Sequence, residues 1–363
     1  MQKLLTHITS RKKQTLTASG LRGGAAALAI ARSVKETGKP AICITPSEHQ
    51  ALQLEQDLGV FTDREILLYP AYDIAPYTPL SPDPATVAAR LSTLYRTMTQ
   101  QDGHILIIPA EALLRRVIPK HLLGNLAELL IRGEDIDQNN LSTTLIAAGY
   151  ENVSLVQNVG EFSIRGGIID IFPPASSQLA SRSAGTRKDA DDFINAPVRL
   201  DFFGDTLESI RFFDPITQRS IDEIEEIIIL PVSDVLFPDP DELSSLVATF
   251  RRAANRQKWQ EYETKKILEQ TRSAYRFPGI EFFLPLFYES TSSPLDFPPP
   301  DSLCFVLDPH ETESSIDLAL ERISANYDEA RNTETPALKP EEIFLNKDEI
   351  REGISRFQTI EFH

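Results

Sequence analysis

The hydrophobic pattern changes twice along the chain and therefore predicts three segments. In residues 1–137, short apolar runs alternate with stretches in which Ala and Leu recur at helical spacing. This alternation is typical of βαβ units around a mostly parallel sheet. The predicted strands are TLTAS, AICITP, REILLYP, HILIIP and AELLIRG, and the predicted helices cover residues 24–37, 47–58, 84–99 and 110–116.

Residues 138–232 follow a different pattern, which predicts a small antiparallel β-rich (α+β) module without helices between its strands. The strand-like segments are NVSLVQ, GEFSIRGGIIDIFPP, VRLDFFGDTLESIRFFD and IEEIIILPV. Gly204 and Asp205 are typical of a two-residue hairpin turn. Residues 175–196 are small and polar, and they predict a mobile surface loop within the module.

Helical periodicity returns in residues 233–363. A long charged helical region is predicted over residues 240–272, and further helices over 311–331 and 340–356. SLCFVLDP and FQTIEF read as strands. The predicted architecture is therefore an α/β domain made of residues 1–137 and 233–363, interrupted by an inserted β module.

Composition narrows the classes of function. The net charge of −17 argues against a chain that wraps nucleic acid by itself, although it leaves room for a local basic patch. Cys43 and Cys304 lie in apolar runs and predict reduced core thiols in a cytoplasmic protein. No Cys and His spacing predicts a metal site, and no apolar run approaches the ~20 residues of a membrane span.

The segment GLRGGAAALAIARS lies between a predicted strand and a predicted helix, where a phosphate-binding loop would lie. Such a loop reads G-x-x-x-x-G-K-[ST], because its Lys reaches the phosphates and its hydroxyl binds Mg²⁺. Gly20, Gly23 and Gly24 supply a turn and a helix start, but Ala25 and the residues after it supply neither side chain. The sequence predicts a tight turn with no bound nucleotide or other cofactor.

A P-loop ATPase also needs an apolar strand that ends in Asp-Glu. In LCFVLDPHE, Asp308 ends the strand correctly, but Pro309 occupies the position of the glutamate. We expect Asp308 to be a strand-end or helix-cap residue. The fold class predicted for the flanking segments is thus a degenerate P-loop NTPase-like α/β domain, and no catalytic residue is predicted.

The strand VRLDFF within the β module has one apolar face and one mixed face. Arg199, Asp201 and Phe203 share the mixed face, and Arg165 extends it if the neighbouring strand pairs nearby. An exposed phenylalanine beside arginines is typical of a protein interface. The alternative is an ordinary solvated sheet face on which a loop covers Phe203.

The sequence GEFSIRGGIIDIFPP followed by VRLDFFGDTLESIRFFDPITQRSI resembles a module shared by UvrB, an excision-repair helicase, and the bacterial transcription-repair coupling factors (Mfd). The segments SPDPATVAARLSTLYR and GIEFFLPLFY, together with the eroded phosphate loop, resemble the coupling factors more than UvrB. The resemblance covers the whole chain but only the N-terminal third of such a factor.

This resemblance implies a function. In the family the shared module binds UvrA, and the matching contact residues are Arg165, Arg199 and Phe203, with Asp201 and Glu208 as weaker candidates. The chain is then a non-catalytic region that recruits UvrA to stalled RNA polymerase. The translocase on double-stranded DNA, the polymerase-binding domain and the C-terminal domain that masks the site belong to other parts of the family's proteins.

Two alternatives stay open from the residues alone. One is an ATPase that uses Asp308 and a non-standard loop, and the other is a DNA-binding module.

Overall fold

The chain folds into two compact units in a computed structural model. The structure describes residues 6–8, 15–100, 103–174 and 196–363. The first unit consists of Met1–Ser81, Thr93–Val117 and Val247–His363, and the second consists of Pro82–Ser92 and Ile118–Leu246. The second unit thus extends on both sides of the segment 138–232. The predicted loop over residues 175–196 lies, apart from Ala196, outside the described residues.

The first unit is built on a six-stranded parallel sheet. Its strands, numbered in chain order, are β1 (Leu16–Ala18), β2 (Ala41–Thr45), β3 (Ile66–Leu68), β4 (Ile105–Pro109), β13 (Leu303–Leu307) and β14 (Gln358–Phe362). The strand order is β1-β14-β13-β2-β4-β3, and every neighbouring pair is parallel. Strands β2 and β4 are buried throughout, as expected for strands covered on both faces. The α/β fold class is confirmed.

Eleven α-helices lie wholly within the described part of the chain. They are α1 (Gly24–Thr37), α2 (Glu48–Phe61), α3 (Pro84–Thr99), α4 (Ala110–Leu113), α5 (Lys120–Asn125), α6 (Gln138–Ala147), α7 (Leu243–Gln257), α8 (Glu261–Arg272), α9 (Pro309–Asn332), α10 (Pro340–Ile343) and α11 (Lys347–Ser355). Within that part, none is long and apolar enough to cross a membrane.

Two predicted helices are each divided in the structure. The region 240–272 forms α7 and α8, and Lys258 between them has a φ of 57°, which ends the helical hydrogen-bond ladder. The region 340–356 forms α10 and α11, because the Asn346 side chain accepts a hydrogen bond from the Glu349 amide and starts a new helix there.

The second unit holds a six-stranded sheet and a separate strand pair. Its strands are β5 (Glu128–Ile131), β6 (Glu151–Asn152), β7 (Glu161–Arg165), β8 (Ile168–Ile171), β9 (Val198–Phe203), β10 (Thr206–Phe213), β11 (Ser220–Ile224) and β12 (Glu226–Ile229). The larger sheet has the order β11-β10-β9-β8-β7-β6. All its pairs are antiparallel except β6 with β7.

One expectation for this region was wrong. The segment AELLIRG is a strand, but as β5 it pairs antiparallel with β12 rather than joining the parallel sheet, since Leu130 packs in the core of the second unit opposite Ile227. The β-rich module also contains a helix, α6, which precedes β6. The Asp137 side chain starts this helix by accepting hydrogen bonds from the Asn139 and Asn140 amides.

The two cysteines lie in the core of the first unit, on the neighbouring strands β2 and β13. Both are free thiols and fully buried. Burial raises the pKa of Cys43, and it raises the pKa of Cys304 to about 12. Both thiols therefore stay protonated. Their burial confirms the prediction that they are core thiols. The described residues contain no group of three or more His, Cys, Asp or Glu side chains arranged to hold a metal.

Candidate functional site

Strand β9 separates its side chains onto two faces, as the alternation predicted. Val198 and Leu200 are fully buried in the core of the second unit. Arg199 and Asp201 are half-buried on the opposite face, and Phe203 at the end of the strand is 76% exposed. The alternative in which a loop covers Phe203 does not hold among the described residues.

Strand register extends this face across four strands. Asp170 on β8 and Arg211 on β10 lie opposite Arg199. In the next row, Ile168 and Ser209 lie opposite Asp201, and Arg165 on β7 lies opposite Ile168. We call this surface the arginine face; it consists of Arg165, Asp170, Arg199, Asp201, Phe203 and Arg211.

Asp170 is the centre of the arginine face. Its side chain is completely buried, and it accepts hydrogen bonds from two arginines. Arg199 binds it in a bidentate manner, with Nε 2.7 Å from Oδ1 and Nη2 2.9 Å from Oδ2. Arg165 donates to the same Oδ2 through Nη2. A single buried carboxylate therefore holds two guanidinium groups in fixed orientations.

Arg199 is more buried, and makes more contacts within the chain, than the sequence alone suggested. Its side chain is only 17% exposed, its guanidinium carbon lies 4.7 Å from the ring centroid of Phe213, and Nη1 donates to the Gln218 carbonyl at 3.4 Å. The hydrogen bonds to Asp170 raise the pKa of Arg199 further above its usual value. Most of its donors are thus satisfied within the chain.

Arg165 and Arg211 present the accessible positive charge. Arg165 is 46% exposed, and among the described residues its Nε and Nη1 groups have no hydrogen-bond partner. Arg211 is 38% exposed and forms an ion pair with Asp201, which also accepts a hydrogen bond from the Ser209 hydroxyl at 2.8 Å. The accessible part of the face therefore carries more positive than negative charge.

A tight hairpin places Phe203 at the edge of the arginine face. Phe203 pairs with Thr206 across the two-residue turn, in which Gly204 has a φ of 65°, so the predicted turn is confirmed. Glu208 lies at a β-bulge in β10, where its carbonyl accepts a hydrogen bond from Arg132 Nε at 2.9 Å. The bulge leaves Glu208 exposed and outside the regular row of paired residues.

The glycine-rich loop of the first unit forms the predicted tight turn between β1 and α1. Gly20 and Gly23 adopt positive φ values of 81° and 50°, and α1 begins at Gly24. The Ala25 amide donates to the Arg22 carbonyl, and those of Ala26 and Ala27 donate to the Gly23 carbonyl. These three amides at the helix start are therefore satisfied inside the loop.

Asp308 at the end of β13 is paired with a side chain of the same loop. Its Oδ1 lies 3.5 Å from Nη2 of Arg22. Asp308 occupies the position before α9, as predicted, but its φ is 42° and its carboxylate makes no capping hydrogen bond. Pro309 starts the helix immediately after it. The carboxylate at this strand end therefore faces an arginine of the loop.

Sequence reasoning missed Asp170 and Arg211. Both are set opposite Arg199 by strand register, which a single strand does not reveal. One signal was available: Asp170 is the only charged residue in the apolar run GIIDIF, and an acid in a buried strand requires a cationic partner.

Comparison with known proteins places this geometry in a family. Residues 129–184 and 192–234 match the UvrB interaction domain, and this match includes every residue of the arginine face. The chain is 29% identical to a transcription-repair-coupling factor of Myxococcus xanthus over 97% of its length. It is 29% identical to that of Escherichia coli over 94% of its length.

A third transcription-repair-coupling factor shows a similar level of identity. The transcription-repair-coupling factor of Bacillus subtilis is 30% identical over 84% of this chain. The chain spans between 25% and 29% of the length of these three relatives. The chain therefore contains a UvrB interaction domain and belongs with the UvrB-like region of the bacterial transcription-repair-coupling factors.

Proposed function

We propose that this chain acts in transcription-coupled nucleotide excision repair by binding UvrA through the arginine face. The observation that carries the proposal is that the UvrB interaction domain presents an exposed phenylalanine beside an ordered cluster of arginines. Aromatic residues, including Phe, and Arg are enriched at protein interfaces, and a few such residues carry most of the binding energy.

The side chains of the face have separate roles in this proposal. Phe203 is the apolar anchor, because its ring is exposed and loses contact with water on binding. Arg165 donates its free Nε and Nη1 groups to a carboxylate or carbonyl group of the partner. Arg199 is largely buried and stabilises the surface, and Asp201 and Glu208 make weaker contacts with the partner at the edge of the face. A partner patch that combines an apolar pocket with acidic groups fits this arrangement.

We further propose that the chain has no ATPase activity. The loop supplies neither the Lys nor the hydroxyl of a phosphate site. The amides at the start of its helix donate hydrogen bonds within the loop, and Arg22 forms an ion pair with the Asp308 carboxylate. On the resemblance to the coupling factors, we assign RNA polymerase binding, translocation along double-stranded DNA and masking of the arginine face by a C-terminal domain to parts of the longer proteins that this chain does not span.

Replacing the exposed ring tests the proposal directly. We expect Phe203→Ala to weaken binding of UvrA by about 2 kcal/mol, or roughly 30-fold in Kd, because the anchor is lost while the core is untouched. Isothermal titration of purified UvrA measures the effect. Ile146→Ala is the matched control, because Ile146 is also an exposed apolar residue but lies near the C-terminal end of α6, outside the strands that carry the arginine face.

The control should bind UvrA as the wild-type chain does. Wild-type affinity in both Phe203→Ala and Arg165→Ala would show that the arginine face is not the docking surface. Absence of any UvrA binding by the wild-type chain would overturn the proposed function itself.

A further inference from the structure

Residues 251–276 differ in charge from the rest of the chain. They contain eight Lys and Arg but only three Glu, giving this segment a net charge of +5, whereas the whole chain carries −17. The segment covers the end of α7, all of α8 and the turns that follow each helix. It belongs entirely to the first unit.

The helices of this segment bury their apolar residues and expose their cations. On α7, Phe250, Ala253 and Ala254 are buried, whereas Arg251 and Arg252 are exposed. On α8, the buried stripe is Ile267, Leu268 and Thr271. We call the exposed cations the basic face; it consists of Arg251, Arg252, Lys258, Lys265, Lys266 and Arg272.

The basic face is not neutralised within the described chain. Arg256, a neighbouring cation, forms an ion pair with Glu342, but no described acidic side chain lies within ion-pair distance of the six members of the face. Arg252 donates to the Thr249 hydroxyl at 2.9 Å, a contact that leaves its charge uncompensated. By contrast, the exposed Arg322, which also belongs to the first unit, is paired with Glu111.

An aromatic cluster fixes the basic face to the first unit. The rings of Phe250, Trp259 and Phe277 lie 5.5–5.8 Å from the ring of Phe283, measured between centroids. Trp259 also donates its indole N–H to the Ala337 carbonyl at 2.9 Å. The segment that carries the cations is therefore anchored to the first unit.

We propose that the basic face binds the phosphate backbone of double-helical nucleic acid. Phosphate contacts are made chiefly by Lys and Arg, whereas Lys is depleted at protein–protein interfaces, so the three lysines of the face favour phosphates over an acidic protein. Tyr262 and Tyr275 are 73% and 58% exposed in the same segment and offer hydroxyls to the backbone. This site is independent of UvrA binding by the arginine face.

Charge reversal at the basic face tests this assignment. The variant Arg251→Glu, Arg252→Glu, Lys265→Glu, Lys266→Glu is compared with the control Arg32→Glu, Lys35→Glu, Arg64→Glu, Arg219→Glu. The control changes the net charge equally at exposed sites outside the segment. Fluorescence anisotropy of a labelled DNA duplex measures binding by the 363-residue chain over a series of KCl concentrations.

We expect the wild-type chain to bind the duplex with a Kd of roughly 10⁻⁴ to 10⁻⁶ M and a steep dependence on salt. The basic-face variant should lose at least about tenfold in affinity and show a shallower salt dependence, because each lost phosphate contact removes about 0.9 from the slope. The control should stay near the wild-type affinity. Unchanged circular dichroism and melting temperature establish that both variants are folded.

Three results would overturn the assignment. They are no binding by the folded wild-type chain at low salt, equal weakening in the two variants, and competition by polyglutamate as effective as competition by unlabelled duplex. The last result would show that an acidic protein is a better ligand of the basic face than nucleic acid.

Discussion

Asp170 determines how the arginine face is presented. Its buried carboxylate lies between Arg165 and Arg199, so neither guanidinium is free to rotate. A preordered side chain loses less conformational entropy on binding than a mobile one. The surface thus combines an exposed anchor, Phe203, with donors whose orientation is set before a partner arrives.

Removing the Asp170 charge should destabilise the second unit strongly. We expect Asp170→Asn to lower the free energy of unfolding by on the order of 3–5 kcal/mol, because it leaves the largely buried Arg199 without its counter-ion. Urea denaturation monitored by circular dichroism measures this loss. The control is Asp201→Asn, whose partly exposed pair with Arg211 should cost less than about 1 kcal/mol. Similar losses of stability in the two variants would show that the burial of Asp170 does not determine its contribution to the free energy of unfolding.

Single residues of the site were predictable where one strand was enough. The period-two alternation of VRLDFF placed Arg199, Asp201 and Phe203 on one face, and the burial of Val198 and Leu200 confirms it. The pairing of Arg199 with Asp170 was not predictable, since it depends on the register between β8 and β9.

At the scale of elements, the turn between β1 and α1 keeps the shape of a phosphate loop without its chemistry. Glycines permit the positive φ values, but the helix-start amides bond to loop carbonyls and the nearby Asp308 pairs with Arg22. An anion at this helix start would find few amides free to donate a hydrogen bond and no Lys side chain.

Nucleotide titration tests this element. We expect no saturable fluorescence change when a fluorescent ATP analogue and Mg²⁺ are added to the chain, because the loop has no side chain to hold either one. Asp308→Ala should give the same titration as the wild-type chain. Saturable binding that Asp308→Ala abolishes would instead support the ATPase alternative.

Elements were predictable where local pattern decides them, and they were missed where a distant partner decides them. The buried strand β4 and the long helix α9 follow their apolar patterns. The sequence of the four residues of β5 is compatible with either a parallel or an antiparallel sheet. Strand β5 belongs to the second unit because it pairs with β12, about a hundred residues later. Helix α6, QNNLSTTLIA, contains five Asn, Ser and Thr residues, which are weaker helix formers, and its start is capped by Asp137.

At the scale of the whole molecule, net charge is a poor guide to local binding. Screening limits electrostatic interactions to about 8 Å at physiological ionic strength, so a phosphate at the basic face senses the nearby Lys and Arg more than distant acids. The total of −17 therefore excludes a chain that is basic throughout, but not a basic surface on α7 and α8. The sequence alone shows the surplus of cations in this segment. The structure was needed to show that these cations are exposed and have no ion-pair partner among the described residues.

His104 gives the stability of the first unit a dependence on pH. Its ring is almost fully buried, and neither ring nitrogen has a hydrogen-bond partner among the described residues. Burial, with a smaller contribution from the charge of Arg96, lowers the pKa of His104 to about 4 from its usual 6.5. The unfolded chain therefore takes up a proton near pH 6.5, whereas the folded chain does so only near pH 4.

Because the unfolded state binds this proton first, His104 has no effect on stability above about pH 6.5 and lowers it progressively as the pH falls to 4, by on the order of 3 kcal/mol. Urea denaturation of the wild-type chain and of His104→Gln between pH 7.5 and 4.5 isolates the effect from that of carboxylates titrating in the same range. The variant should lose less stability on acidification, and His49→Gln, at an exposed position, should match the wild-type chain. Equal losses in wild-type and His104→Gln would mean that the His104 ring becomes hydrated or exposed before it is protonated.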